Sequence, residues 1–117
     1  MKTLTTILGA ALLVCATSPA VRAADTVTGE VVDLACYLPH PATGQGASHR
    51  KCAETCAKKG LPIGILTEDK QVYLLLEDHE NPKPYAQVKE KAAEKVTVEG
   101  EKVAQGGLQG IVVEAVK

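Results

Sequence analysis

"LPIGILTEDKQVYLLLE", Leu61–Glu77, sets two apolar runs on either side of a short polar break. "LPIGILT" and "QVYLLLE" read as strands and "EDK" as the turn between them, so the segment predicts a hairpin. The next stretch has a different period. "DHENPKPYAQVKEKAAEK" (Asp78–Lys95) opens with turn residues, and Asn81 ahead of Pro82 forms an N-cap and first-turn pair. Tyr85, Val88 and Ala92 then fall on one face of a short helix. "VTVEGEKV" (Val96–Val103) and "GLQGIVVEAV" (Gly107–Val116) read as two further strands around Gly106-Gly107.

Upstream of the hairpin, "TVTGEVVDLAC" (Thr26–Cys36) is rich in β-branched residues and predicts the first strand, with Gly29 marking a bulge or bend. "YLPHPATGQGA" (Tyr37–Ala47) is a loop in which Pro39 and Pro41 hold His40 extended. Ser48 is the expected N-cap of a helix over "HRKCAETCAKK" (His49–Lys59), with Lys58 and Lys59 at its C-terminal end and Gly60 as its stop. The order along the chain is β-α-β-β-α-β-β. The expected fold is therefore mainly β with two short helices. Five short strands with a helix between the third and fourth suggest a small OB-like barrel, with residues 36–60 as a Cys/His loop and helix inserted between strands one and two.

The 117-residue length fits one domain. Its first residues read as an export signal: a basic Met1-Lys2, an apolar Leu4–Ala16 run too short to span a bilayer comfortably, and "VRA" ending at Ala23. Cleavage after Ala23 is expected, giving a signal peptide over 1–23, a barrel domain over 24–117 and a periplasmic or secreted protein. Val14 stands where a lipidated Cys15 would want a small residue before it. Cleavage removes two of the 13 basic residues and none of the 14 acidic ones. A net-acidic chain with three tyrosines and no Trp or Phe is a poor nucleic-acid binder, because it lacks both a basic footprint and stacking aromatics. No further apolar run is long enough for a membrane span.

The chemistry gathers in Asp33–Gly60, "DLACYLPHPATGQGASHRKCAETCAKKG", which holds three of the four cysteines and two of the three histidines. Cys52 and Cys56 lie one helical turn apart on one face, and His49 shares that face. Cys36 ends the first strand and His40 follows it by four. Cys15 leaves with the signal, so an odd number of cysteines remains. Three thiolates and an imidazole make a tetrahedral metal set, and the expected ligands are Cys36, His40, Cys52 and Cys56, with His49 as a possible further ligand. Thiolate and imidazole suit zinc or copper. Asp33 is expected to orient His40 from behind. His79, in "DHENP", reads as a turn residue.

Two other readings stay open. In one, the cysteines form a disulfide, Cys36 with Cys52 or with Cys56, stapling an interaction module whose "QVYLLLE" strand faces a protein or peptide partner. Cys52 with Cys56 is a poor pairing because of its Cβ directions. In the other, Arg50, Lys51 and the first helical turn favour a thiolate at Cys52, making a thiol redox protein. No nucleophile elbow or phosphate loop points to hydrolysis, and no Cys-x-x-Cys-His points to covalent haem.

"GEVVDLACYLPH", "CAETC", "GILTEDKQVYLL" and "VTVEG" together resemble small exported bacterial OB-like barrel proteins, largely uncharacterised, with an Asp-x-x-Cys-x₃-His stretch and a later Cys-x₃-Cys. The resemblance spans nearly all of residues 24–117. It implies Asp33, Cys36, His40, Cys52 and Cys56 as marked positions, and it implies no activity.

Overall fold

A computed structural model describes residues 17–117. The apolar run and Cys15 of the expected signal lie outside the described residues. Five strands, β1 (Asp25–Asp33), β2 (Ile63–Leu66), β3 (Val72–Glu77), β4 (Lys95–Gln105) and β5 (Leu108–Val116), close into a barrel in the order β1-β2-β3-β5-β4. All neighbours are antiparallel except β3 and β5, which run parallel from Leu74↔Gly110 to Glu77↔Val113. A parallel pair needs a crossover. It is supplied by α3 (Lys83–Lys89) followed by β4. This is the five-stranded OB-like barrel that the element order predicted.

Closure depends on strands that change partners. β1 pairs with β4 from Asp25 to Glu30 and with β2 from Glu30 to Asp33. β4 pairs with β1 up to Gly100 and with β5 out to Gln105, with a register shift at Glu99/Gly100. Both corners carry glycine because backbone passes where a side chain would stand. A Cβ on Gly29 would lie 2.2 Å from the Leu66 carbonyl oxygen, and one on Gly100 would lie 1.7 Å from that of Val112. Gly29, where a bulge or bend is expected, stays in register with Val96 and stands next to Glu30, the residue at which β1 passes from β4 to β2.

The interior is aliphatic. Val31, Ile63, Ile65, Val98, Ile111 and Val113 are fully buried, and Val88 and Ala92 close it from the α3 side. Along β3, Tyr73 and Leu75 join this core. Val72 and Leu74 point outward onto a second cluster of Val32, Leu34, Tyr37 and Leu66. "QVYLLLE" therefore lies partly at the surface, flooring a groove walled by Leu38 and Leu108.

Three boundaries differ from expectation. β1 stops at Asp33 instead of Cys36, because the Asp33 carboxylate caps a short helix, α1 (Leu34–Tyr37), by accepting from the Cys36 N–H. The inserted helix starts with a 3₁₀ turn, Ala47–His49, and α2 runs Arg50–Lys58 with no side-chain cap from Ser48. In α3, Pro82 occupies the cap position expected of Asn81.

Candidate metal centre

The site forms where the end of β1 meets α2. Asp33 is the last residue of β1, paired with Ile63, and its side chain is completely buried. A buried carboxylate needs partners. Asp33 has one on each oxygen: Oδ1 accepts from the Cys36 N–H at 2.8 Å, and Oδ2 lies 2.8 Å from His49 Nε2. One buried carboxylate thus sets both the start of α1, which carries Cys36, and the imidazole plane of His49.

α2 is seated by its small residues. Ala53 and Ala57 are buried in the main core, so the helix lies close against the barrel and places Cys52 and Cys56 at the edge of the seat. Its start is tied down by Arg50, which donates to the Ala93 carbonyl at 3.4 Å and lies 3.9 Å from Glu94. Its end is closed by paired backbone bonds, Leu61 N–H to Cys56 O and Gly60 N–H to Ala57 O, with Gly60 at φ +82. The intervening loop folds back on α1 through His40 N–H to Cys36 O and Gly44 N–H to His40 O, and Glu30 fixes its far end by accepting from the Gly46 N–H.

These elements bring five donor residues together. Cys36, His49 and Cys52 form one group with ligand atoms all within 4.8 Å of one another, and Asp33, Cys36 and Cys56 form a second. Cys36 belongs to both. All three cysteines are free, so the disulfide staple considered from the sequence is not formed among the described residues. Cys36 Sγ and Cys52 Sγ are 3.9 Å apart. A disulfide would hold them about 2.05 Å apart. A tetrahedral ion with metal–sulfur bonds of ~2.3 Å holds its sulfurs about 3.8 Å apart, close to the spacing seen.

The electrostatics of the cluster favour the protonated forms of Cys36 and Cys56. Burial, with Asp33 and Cys52 beside it, pushes the Cys36 thiol up to about 12. Burial and the negative field of Asp33 also push Cys56 up. A cation reverses this, because thiolates that are costly beside a carboxylate are stabilised by a positive ion between them.

The two histidines exchange the places expected of them. His40 is exposed and stands in neither donor group. His49, expected only as a further ligand, is in the cluster with its side chain 15% exposed, and it is the partner of Asp33 in place of His40. The helical spacing of His49 and Cys52 signalled this. The sixteen-residue reach from Asp33 to His49 left no local pattern. His79 is exposed in a turn held by the Asp78 side chain and is also outside both groups.

No family model, curated protein or solved structure matches the chain. Among the described residues, no helix is long and apolar enough to cross a membrane.

Proposed function

We propose that this protein binds a thiophilic metal ion, zinc or copper(I), through Cys36, Cys52 and Cys56 with His49 as the nitrogen donor, and that it carries, buffers or is stabilised by that ion. The observation that carries the reading is the pair of overlapping donor groups sharing Cys36, drawn from four separate elements and with all three thiols free. Three soft sulfurs and an imidazole suit a closed tetrahedral zinc site, and the sulfurs alone suit copper(I). Asp33 sits behind the imidazole and orients it, the usual role of a carboxylate next to a metal-bound histidine. His40 stands outside this set and becomes a ligand only if its loop turns inward.

Export is part of the proposal. The basic start, short apolar run and Ala23 boundary support a periplasmic or secreted protein, as does the resemblance to exported barrels. In that setting a bound ion would also protect an odd set of thiols.

Native mass spectrometry of the full chain tests the reading, with the thiol count taken after denaturation. One zinc or copper ion bound to a chain with its cysteines reduced is the expected result. Retention of the ion by the Cys52→Ser/Cys56→Ser double variant would sink it.

A further inference from the structure

Cys36 and Cys52 also form an asymmetric pair. Cys52 is exposed on the first turn of α2, while Cys36 is half-buried within α1, its N–H bonded to Asp33. Their sulfurs are 3.9 Å apart and belong to different elements, sixteen residues apart in sequence. Bond formation requires the two sulfurs to approach by roughly a further 1.9 Å. Cys56 follows Cys52 on the next helical turn, where Cβ directions are poor for a bridge. An outside reagent therefore meets Cys52 first, and Cys36 is the sulfur behind it on a different element, free of the helical constraint that sets Cys56.

We propose that the cluster carries thiol–disulfide exchange, with Cys52 as the attacking sulfur, Cys36 as the resolving sulfur and a small-molecule or peptide disulfide as substrate. In the first step Cys52 sulfur bonds to one sulfur of the substrate, R–S–S–R′. The substrate's S–S bond breaks, and R′S⁻ leaves and takes up the proton that Cys52 gave up. In the second, Cys36 sulfur bonds to Cys52 sulfur, the Cys52–SR bond breaks, and RS⁻ leaves with the proton from Cys36. Two protein thiols become one disulfide, and the substrate, reduced by two electrons, becomes two thiols. Cys56 remains a thiol.

This exchange stands without a metal. Its consequence for the ion rests on the metal-binding reading: oxidation converts two sulfur donors into a bridge, leaves Cys56 and His49 as the main donors, and releases the ion in its original oxidation state. The cluster then gives up its metal when disulfides are abundant and takes it back when thiols are.

The test uses reduced, metal-free full-length protein exposed to glutathione disulfide, quenched with acid, alkylated and mapped by peptide mass. The wild type and Cys56→Ser should both form a Cys36–Cys52 bridge. Cys36→Ser should stop at glutathione on Cys52, with the second glutathione released at least roughly tenfold more slowly than in wild type, since the resolving step is intramolecular. A wild type that keeps glutathione on Cys52, or that bridges through Cys56, overturns the exchange. A zinc-loaded sample should lose one zinc for each bridge formed, and zinc retained beside a completed bridge overturns the release. Reduced protein that binds neither zinc nor copper(I) overturns the metal reading alone, because the bridge is scored in the metal-free arm.

Discussion

Val31 and Asp33 stand two residues apart on the same strand and are equally buried, yet one belongs to an aliphatic interior and the other anchors a cluster of sulfur and nitrogen donors. The interior of Val31, Ile63, Ile65, Val98 and Ile111 is stable by burial and needs nothing from outside. The donor cluster cannot be stable in that way. Its buried carboxylate is acceptable because both oxygens are partnered, and no buried side-chain polar atom among the described residues lacks a hydrogen bond. Its Cys36 and Cys56 thiols, in contrast, are held toward their protonated forms by burial and by Asp33. The fold should therefore survive loss of the cluster's ligands, and the cluster should not survive loss of the fold.

Removing hydrocarbon from the interior is the strongest challenge to that division. Ile65→Ala should cost about 2–5 kcal/mol, because the closed barrel around a fully buried side chain collapses only partly onto the space left. Chemical denaturation with and without zinc should give nearly the same loss in each. A loss confined to the zinc-free protein would mean that the ion, not the aliphatic core, holds the barrel closed.

The reverse variant is Cys52→Ser/Cys56→Ser. Cys52 is exposed and Cys56 half-buried, so the metal-free stability should change little. The stabilisation given by metal should vanish. With free zinc at 1,000 times its dissociation constant, that stabilisation is about 4 kcal/mol. Thermal melts of both proteins across a zinc titration measure it directly. A double variant that still gains stability from zinc would place the ion elsewhere on the chain.

Much of this division could be read in the sequence. The hairpin of Leu61–Glu77, the helix after it and the two final strands follow from period and turn chemistry, and with the β-branched first strand they make up the barrel. The cysteines of the cluster were legible for a similar reason, since Cys52 and Cys56 share a helical face. The four-residue spacing of Cys36 and His40 does not bring the two side chains into one donor group. Four residues apart suggests a shared site, but the backbone bond from His40 N–H to Cys36 O continues the turn while His40 itself stays exposed. The partner of Asp33 is set by where α2 docks on the barrel through Ala53 and Ala57, and tertiary placement of that kind has no signature in spacing.

Asp33 joins the two regions, and its replacement should show an intermediate effect. Asp33→Ala removes the cap of α1 and leaves His49 without its partner, at a cost of about 1–3 kcal/mol in the metal-free protein. It should also weaken zinc binding by roughly 10–100-fold, the usual scale for losing a carboxylate behind a metal-bound histidine. His40→Ala should do neither. Isothermal titration of the two variants side by side would separate the histidines. Equal weakening by His40→Ala would bring that loop into the site.

The smallest effect is the one most specific to the thiols. Cys36 is pushed from an ordinary 9.0 up to about 12, and Cys56 is pushed upward for related reasons, so folding favours their protonated forms. A group whose acid form is favoured in the fold lends stability below its unfolded value and gives it up as pH rises towards the folded one. The contribution of Cys36 to metal-free stability should therefore be level up to about pH 9 and decline from there towards 12. Tyr85, also raised by burial, adds a decline of the same sign, so the informative quantity is the difference between wild type and Cys36→Ser. That difference should shrink as pH rises through the window. Zinc should act in the opposite sense. It replaces thiol protons with a cation, so its apparent affinity climbs with pH while the metal-free protein is losing its preference for protonated sulfur. Denaturation curves from pH 7 to 11, with zinc and with a chelator, would show the two trends diverging if the cluster is a metal site. If the curves instead ran parallel, the raised thiols would be a consequence of packing against Asp33 and nothing more.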